Sequence, residues 1–355
     1  MTIEFKERIL AASANKTPLC IQGGASKQWY GQQPQGAVLD TRSHSGIVDY
    51  DPTELVITAR CGTPLAEINR VLAEQHQCLA FEPPSFSAHA TIGGTVAAGL
   101  SGPRRAYAGA MRDFVLGIVL MDGQGERLNF GGQVMKNVAG YDVSRMLTGS
   151  MGCLGLLLEL SIKVLPIPGS EVSLAFAMTQ EQALTQLNHW AGMPLPISAS
   201  SWDDGQLRLR LSGSLAATAD AQRQLGGELI DADSAAQYWL SLREQQHAFF
   251  NQSTQQAGLW RLSLPSTAPA IDLGGSQLIE WGGAQRWLTG SILESNALRQ
   301  RVAALGGHAT LFKGGDKGGG VFQPLAGPLM AIHRRLKNSF DPAGIFNPGR
   351  LYSDL

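Results

Sequence analysis

The spacing of apolar and polar positions predicts both helices and strands in the first part of the chain. The expected elements are a helix over residues 5–14 and strands over residues 17–22, 37–41 and 54–62. Thr63 then occupies an N-cap position, and Pro64 occupies the first position of a helix. The apolar face of that helix consists of Leu65, Ile68, Val71 and Leu72. The pattern therefore predicts a strand followed directly by a helix.

Residues 114–130 carry the pattern of a β-hairpin. Two strands, over residues 114–121 and 127–130, flank the turn-forming sequence DGQG, and a further strand is expected over residues 156–166. Beyond Pro168 glycine becomes rarer, while Trp, Gln and Ser become more frequent. We therefore expect a domain boundary near residue 167. The expected parts are residues 1–166, 167–339 and 340–355.

The last helix is expected over residues 327–340. Pro328 lies at its start, and apolar residues recur along one face, namely Leu329, Ile332, Leu336 and Phe340. A stripe of this kind is typical of a helix that packs on a core. The sequence DPAGIFNPGRLY then ends the chain in turns.

The stretch CIQGGASK, residues 20–27, places a short apolar strand directly before Gly23 and Gly24. Paired glycines let successive amide groups face one concavity, which suits an anion such as a nucleotide phosphate. An ordinary turn that uses glycine for its geometry alone is the simpler explanation of the octapeptide taken by itself. The segment by itself leaves both interpretations open.

A second glycine-rich segment, EPPSFSAHATIGGTVAAGLSGPRRAYAG, covers residues 82–109. The chain contains neither G-x-G-x-x-G nor G-x-x-x-x-G-K-[ST], so a Rossmann dinucleotide site and a P-loop are both disfavoured. Two separated glycine loops in one mixed α and β region require another explanation.

Composition and charge narrow the class of protein. The chain has 355 residues, 44% of them hydrophobic, and a net charge of -1 without a basic run, which argues against a nucleic-acid partner. Only 16% of the residues are charged, which indicates surface covered by other subunits. The four cysteines form no C-x-x-C pair, so the pattern favours no zinc site, iron–sulfur cluster or disulfide framework.

Several observations favour a cytoplasmic protein. The N-terminus lacks the apolar core of a signal peptide. The most apolar segment, residues 151–166, is too short to span a bilayer and is interrupted by Glu159 and Lys163. Any contact with the inner face of the cell membrane is therefore expected to be peripheral, through partner subunits.

Four segments in a fixed order carry a family resemblance. QGGASK at 22–27, EPPS at 82–85, ATIGGTVAAGLSG at 90–102 and GSMGCLGLLLELSIKVLP at 149–166 resemble the FAD-binding domain shared by vanillyl-alcohol oxidase and p-cresol methylhydroxylase. The nearest form is the family of FAD-binding E subunits of bacterial glycolate oxidase. The further matching segments are LSGPRRAYAGAMRDFVLG at 100–117, VMKNVAGYDVSRM at 134–146 and FDPAGIFNPGR at 340–350.

The resemblance implies an α+β fold and a set of partners. It predicts an FAD-binding domain of two α+β subdomains over residues 1–166, a smaller α+β second domain, and a C-terminal segment that returns to the FAD domain. Glycolate oxidase of this kind is a dehydrogenase complex that also contains a D-type flavoprotein subunit and an iron–sulfur subunit. The resemblance therefore implies a subunit that acts with both in oxidising glycolate to glyoxylate.

The resemblance also implies cofactor-binding residues. The family's first loop wraps the FAD pyrophosphate, a role that carries over to Gly23, Gly24, Ala25, Ser26 and Lys27. The second loop lies against the dinucleotide and corresponds to Thr91, Ile92, Gly93 and Gly94, with Pro83 stiffening its approach. Gly99 and Gly102 continue that wall, and Leu154 and Gly155 match the strand that meets the adenosine half. Covalent members often use His or Cys beside the first loop, where this chain has Ala25 and Ser26, so FAD is expected to be noncovalent.

The sequence offers no convincing catalytic residue. Related D-2-hydroxy-acid dehydrogenases carry a metal and base segment of the form H-x-G-D-G-N-x-H, which this chain lacks. His89, His308 and His333 are isolated, as structural histidines usually are. Arg350, in the turn NPGR with Asn347, is expected to clamp a substrate carboxylate, to hold a subunit contact or to be solvated. Arg104 and Arg105 have the same alternatives.

Three hypotheses of function follow. In the first, the chain is the FAD-binding subunit of a multi-subunit glycolate dehydrogenase and is not the main site of hydroxy-acid oxidation. In the second, it is a self-sufficient FAD-dependent D-2-hydroxy-acid dehydrogenase, which the missing histidine segment disfavours. In the third, it is a structural subunit that has lost the cofactor, which the two intact glycine loops disfavour.

Overall fold

The computed structural model describes residues 2–132, 141–251 and 258–355. Its helices are α1 Thr2–Asn15, α2 Leu65–Glu74, α3 Ile92–Ala98, α4 Arg105–Ala108, α5 Met111–Phe114, α6 Val143–Leu147, α7 Gln180–Ala191, α8 Leu215–Leu225, α9 Ala232–Arg243, α10 Ala248–Asn251, α11 Ser295–Ala304 and α12 Gly327–Phe340, with a 3₁₀ turn at Trp281–Gly283. Of the family-matching segment 134–146, residues 134–140 lie outside the described residues.

The strands are β1 Leu19–Gln22, β2 Ala37–Asp40, β3 Ile47–Asp51, β4 Val56–Arg60, β5 Gln77–Cys78, β6 Val115–Met121, β7 Arg127–Gly131, β8 Leu156–Lys163, β9 Leu165–Pro166, β10 Ser170–Ala177, β11 Ile197–Asp203, β12 Gln206–Gly213, β13 Glu228–Ile230, β14 Leu259–Ser263, β15 Ser276–Glu280, β16 Gln285–Thr289 and β17 His308–Lys313. The predicted hairpin is confirmed, because β6 and β7 pair antiparallel from Gly117↔Gly131 to Met121↔Arg127.

The chain divides into two compact units. Unit 1 comprises Met1–Leu100, Ala110–Pro166 and Pro324–Leu355, and unit 2 comprises Ser101–Gly109 and Ile167–Gln323. This division follows contacts in space, so it assigns α4 to unit 2 and α12 to unit 1. The domain borders expected from composition stay a prediction.

In unit 1 a five-stranded antiparallel sheet has the order β3-β4-β8-β6-β7. β1 and β2 form a separate parallel pair, and Phe346 of the C-terminal turn bridges Leu19 in parallel. The C-terminal turn therefore extends the small sheet from which the first glycine loop emerges.

One apolar cluster of unit 1 joins distant parts of the sequence. It contains Phe5 and Ile9 of α1, Leu39 of β2, Leu158 of β8 and Phe346 of the C-terminal turn, all at most 2% exposed. Burying one such side chain contributes about 1.5–3 kcal/mol. The cluster thus fixes the end of the chain against β1 and β2.

Unit 2 is built on an eight-stranded antiparallel sheet of order β13-β10-β12-β11-β15-β16-β14-β17. Two apolar clusters cover it: one includes Leu187 of α7 and Leu209 of β12, and the other includes Leu298 of α11 and Leu262 of β14. Both units mix helices and sheet, as the predicted α+β class requires.

Two details differ from the sequence-based expectations. Helix α2 begins at Leu65 and its N-cap is Pro64, because the Thr63 hydroxyl donates to the Arg60 carbonyl at 2.7 Å and accepts from the Gly46 N–H at 2.9 Å. The helix predicted over 327–340 is confirmed, but its apolar stripe is not buried: Leu329 is 50% and Ile332 is 47% exposed. Among the described residues, no helix is both long and apolar enough to cross a membrane.

A buried ion pair attaches α12 to the C-terminal turn. Lys337 Nζ donates to Asp341 Oδ2 at 2.7 Å, and also to the carbonyls of Cys153 at 2.8 Å and Phe346 at 2.7 Å. Asp341 is fully buried and accepts from the backbone N–H groups of Ile345 and Phe346. Every hydrogen of the ammonium group thus has an acceptor, as burial of a charge requires.

We predict that Asp341→Asn lowers the free energy of unfolding by about 3–5 kcal/mol, because removing one partner leaves the Lys337 charge buried and unpaired. A urea titration measures this loss. The matched control is Arg334→Gln on the same helix, which breaks the exposed Arg334–Asp354 ion pair and should leave the urea midpoint unchanged. Equal midpoints for Asp341→Asn and wild type would contradict the structural role of the buried pair.

Candidate functional site

The first glycine loop follows β1 and packs directly on the second. An ideal Cβ on Gly24 would lie 1.5 Å from the His89 carbonyl oxygen, and one on Gly23 would lie 2.4 Å from Thr91 Oγ1. No side chain larger than hydrogen fits at either position. The two segments that the sequence singled out are therefore neighbours, and their glycines permit this close approach.

The first loop leaves hydrogen-bond donors available. Within the described ranges, the backbone N–H groups of Gly24, Ala25 and Ser26 have no acceptor in the protein. Ala25 adopts φ 54°, the left-handed region that a non-glycine residue rarely occupies. Such conformations are concentrated at binding and active sites. Three successive donors in a strained loop can receive an anion.

Lys27 is a buried cation of the same loop. Its side chain is 8% exposed, and Nζ lies 3.4 Å from both Ser26 Oγ and the Ser85 carbonyl oxygen. Nζ also lies 5.5 Å from the centroid of the Phe86 ring. The ammonium group is thus held between the first loop and the segment that leads to the second.

The second loop is ordered by its own hydrogen bonds. Thr91 is the N-cap of α3, and its hydroxyl accepts from the Gly94 N–H at 3.2 Å. The Gly93 N–H donates to the Cys61 carbonyl at 2.8 Å, and an ideal Cβ on Gly93 would lie 2.6 Å from Cys61 Cβ. At Gly94, by contrast, an added Cβ meets only Thr91 Oγ1, at 3.2 Å. Gly93 is required for packing, whereas Gly94 can accept a Cβ if the Thr91 hydroxyl shifts by a few tenths of an ångström.

The two loops enclose two cavities in unit 1. Cavity A, of about 100 Å³, is lined by residues 20–28, by Thr91 and Gly94, and by Asn347 and Arg350 of the C-terminal turn. Cavity B, of about 60 Å³, is lined by Gly93, Gly94, Cys61, Gly155 and their neighbours. Gly23, Gly94 and Met151 line both. Since small-molecule pockets usually measure about 300–1,000 Å³, these cavities suit a part of a dinucleotide.

The charge of cavity A is one-sided. Lys27 and Arg350 line it, and none of its described lining residues is acidic. Cys20 also lines it, and burial raises the pKa of the Cys20 thiol, so the thiol supplies no negative charge near neutral pH. The cavity therefore combines two cations with three available amide donors, which is the environment that a phosphate group requires.

Other predicted site residues lie outside both cavities. Pro83, Ile92, Gly99 and Leu154 line neither, although Ile92 is fully buried beneath the second loop. Gly99 ends α3 with φ 64°, and an added Cβ would lie 2.9 Å from Gly149 Cα. Gly99 thus has an evident packing function.

Gly102 and the two neighbouring arginines belong to unit 2. The Gly102 carbonyl accepts from Trp281 Nε1 at 3.1 Å, and the Arg105 guanidinium lies 4.4 Å from the Trp281 ring centroid. Arg104 donates to the Glu171 carboxylate at 2.7 Å. Both arginines therefore make contacts inside unit 2.

Asn347 joins three segments around the cavities. Its Oδ1 accepts from the Ile21 N–H at 2.8 Å, its Nδ2 donates to the Met151 carbonyl at 2.6 Å, and its N–H donates to the Leu19 carbonyl at 2.9 Å. Asn347 adopts φ 40°, which Asn tolerates better than most residues. Asn347 and Met151 line both cavities, yet only the NPGR turn drew attention to Asn347 in the sequence.

A polar cluster in unit 2 has no sequence signature. Asp203 accepts from Arg208 Nη1 at 2.8 Å and from the Tyr238 hydroxyl at 3.2 Å, and His247 Nε2 lies 3.9 Å from Asp203 Oδ2. Burial raises the pKa of Tyr238 and lowers the pKa of His247. Asp203 and His247 also line a cavity of about 460 Å³. Because the polar groups of this network are hydrogen-bonded to one another, we interpret the network as structural.

The structure describes the isolated histidines as well. His333 Nδ1 lies 2.8 Å from the Leu329 carbonyl oxygen within α12, and His308 begins β17. In the described ranges, no three His, Cys, Asp or Glu side chains are close enough to hold a metal ion.

Comparison with known proteins agrees with this geometry. Residues 3–131 match the model of an FAD binding domain. The chain is 50% identical to glycolate oxidase subunit GlcE of Escherichia coli, over 98% of this chain and 97% of that protein. It is 29% identical to glycolate oxidase subunit GlcD of Bacillus subtilis over 49% of this chain, which corresponds to 37% of that longer protein.

A solved structure extends the comparison of fold. An alkyldihydroxyacetonephosphate synthase aligns over 97% of this chain and 75% of its own, with a TM-score of 0.64 at 14% identity. That likeness concerns the fold alone, and it agrees with the predicted vanillyl-alcohol oxidase and p-cresol methylhydroxylase type. The identity over nearly the whole length decides the family. The chain belongs to the family of the glycolate oxidase subunit GlcE.

Proposed function

We propose that this chain is the FAD-binding subunit of a multi-subunit glycolate oxidase that converts glycolate to glyoxylate. The observation that carries the proposal is cavity A, where two cations and three available amide donors meet without an acidic residue. A pyrophosphate group matches both the charge and the donors. The proposed reaction rests on the family to which the chain belongs, and the proposed dinucleotide cofactor rests on the charge and donors of cavity A.

The proposed FAD contacts follow from the two cavities. The amides of Gly24, Ala25 and Ser26 donate to phosphate oxygens, and Lys27 balances their charge. Gly23 and Gly94 line both cavities and add no side chain to either, Thr91 lines cavity A, and Gly93 and Gly155 line cavity B. We assign Pro83, Ile92, Gly99 and Leu154 a supporting function in the shape of the loops, and we assign Gly102, which accepts from Trp281, a structural function in unit 2.

The chain's own contribution to the reaction is to bind and orient the cofactor. When bound, the isoalloxazine supplies the hydride-accepting chemistry. None of the described residues lining cavities A and B is His, Asp or Glu, so neither cavity offers a carboxylate or imidazole base for the substrate hydroxyl. General-base assistance is worth about 10²–10⁴-fold. We therefore place the main site of glycolate oxidation on a partner.

The partners are the finer part of the proposal. A D-type flavoprotein subunit and an iron–sulfur subunit would supply the base and the path for electrons. None of this chain's four cysteines forms a disulfide in the part of the chain that the structure describes, three of them are buried, and no two stand three positions apart as in a C-x-x-C motif. We propose a cytoplasmic complex whose contact with the membrane is made by those partners.

We predict that acid precipitation of the purified protein releases FAD, and not FMN, into the supernatant. The dinucleotide is expected because two adjoining cavities flank the phosphate loop, and release is expected because Ala25 and Ser26 offer no covalent attachment. Chromatography of the supernatant identifies the flavin. Flavin retained on the precipitated chain would contradict noncovalent binding, and FMN alone would contradict the two-cavity site.

We predict that Gly94→Val lowers the affinity for FAD by about 5- to 100-fold, since overpacking a close-fitting contact costs about 1–3 kcal/mol. Fluorescence titration of the apoprotein measures the affinity. Helix content should persist, because a small shift of the Thr91 hydroxyl accommodates a Cβ at Gly94. Gly327→Val, at a glycine with nothing within 4 Å of an added Cβ, is the matched control. Gly93→Val is less diagnostic, because it clashes with Cys61. Unchanged affinity in Gly94→Val would show that the second loop is only a packing turn.

We predict that the isolated chain does not reduce a dye with glycolate, and that adding the D-type flavoprotein and iron–sulfur subunits together restores glycolate-dependent dye reduction. A complex assembled with the Gly94→Val chain tests whether this flavin contributes. Fast turnover by the single chain, unaffected by the partners, would instead favour a self-sufficient D-2-hydroxy-acid dehydrogenase.

A further inference from the structure

Arg350 connects the C-terminal turn to the first glycine loop. Its Nη2 donates to the Gln28 carbonyl at 2.7 Å, and its Nη1 donates to the Gln32 carbonyl. In return, the Gln32 N–H donates to the Arg350 carbonyl at 3.0 Å. The side chain is 6% exposed, so Arg350 is neither a solvated terminal arginine nor accessible to a protein partner.

The charge of Arg350 lacks a counter-ion within the chain. Among the described residues, no carboxylate lies within ion-pair distance of its guanidinium, and its remaining N–H donors have no acceptor. Burial lowers the pKa of the guanidinium, and the neighbouring thiols of Cys20 and Cys153 have raised pKa values and stay neutral. A buried cation without an anion is costly.

The position of Arg350 indicates where that anion belongs. Arg350 lines cavity A together with Lys27, and the available amides of Gly24, Ala25 and Ser26 line the same cavity. An anion placed there would meet one cation from the loop and another from the C-terminal turn. Coulomb attraction in such a site is stronger than between surface charges, because both Lys27 and Arg350 are largely buried.

We propose that Arg350 is a cofactor-binding residue whose guanidinium neutralises the phosphates of the dinucleotide, so that the C-terminal turn is part of the cofactor site. This inference rests on the proposed function. It replaces the three expectations for Arg350 with a contact to FAD phosphate. The carbonyl bonds to Gln28 and Gln32 then serve to hold the guanidinium at the edge of the loop.

A purely structural brace would behave differently from a counter-ion. A brace positions the loop through hydrogen bonds to carbonyls, so its loss would weaken every flavin to the same extent. A counter-ion acts on phosphate, so its loss would weaken FAD but not riboflavin, which carries no phosphate. The two alternatives therefore separate according to the charge of the ligand.

The test compares Arg350→Gln and Arg350→Lys with wild type in titrations of the full-length apoprotein with FAD and with riboflavin. We expect Arg350→Gln to bind FAD about 10- to 100-fold more weakly, because hydrogen bonds to charged groups contribute about 1.5–3 kcal/mol, and to bind riboflavin as wild type does. Arg350→Lys, which keeps the charge, should lose less than Arg350→Gln. Arg334→Gln, an exposed cation of α12, is the matched control and should change neither affinity.

Three results would overturn the inference. They are wild-type FAD affinity in Arg350→Gln, equal losses for FAD and riboflavin in that variant, and a loss in Arg350→Lys as large as in Arg350→Gln. If Arg350→Gln fails to fold, or if riboflavin binds too weakly to measure, the dependence of FAD affinity on salt concentration is measured instead. Arg350→Lys should then show the same salt dependence as wild type. An FAD affinity of the wild-type protein that does not change with salt would refute a counter-ion. A wild-type protein that binds no flavin would contradict the proposed function itself.

Discussion

The buried Lys337–Asp341 pair is the interaction on which the candidate site depends. It holds the last turns of the chain against Cys153 and Phe346, and through them against the strand that precedes the first glycine loop. This attachment acts together with the hydrogen bonds of Asn347 and with the apolar cluster around Phe346 to hold Asn347 and Arg350 beside cavity A. Residues separated by more than 300 positions along the chain thus line one cavity, because a fully satisfied charge pair and these contacts hold the end of the chain in place.

The glycines of the two loops can serve the packing of the loops or the contact with a ligand, and the sequence alone does not distinguish these functions. Gly23, Gly24 and Gly93 lie where a Cβ would collide with Thr91, His89 or Cys61, so they allow the loops to pack on each other. The same close packing aligns the free amides of the first loop along cavity A. Glycine at these positions is therefore required first for the packing that forms the site. At Gly94, by contrast, an added Cβ would meet one tight contact, Thr91 Oγ1 at 3.2 Å.

We interpret the charged and polar side chains of unit 2 as structural. The cluster of Asp203, Arg208, Tyr238 and His247 satisfies its own hydrogen bonds, and Arg104 and Arg105 are engaged by Glu171 and Trp281. Neither group resembles a free base or a free carboxylate clamp. This agrees with the proposal that the chain holds the cofactor and that a partner subunit oxidises the hydroxy acid.

The sequence by itself determined the local elements, the α+β class and the two glycine loops, because hydrophobic period, proline and glycine act over a few residues. It also indicated the family, because the order of short motifs can be recognised in the sequence alone. Only the tertiary structure decided that the loops touch at Gly24 and His89, that the buried Arg350 lines the same cavity as Lys27, and that the stripe of α12 is exposed at Leu329 and Ile332. These features arise from contacts between distant segments, and such contacts leave no periodic signal in either partner.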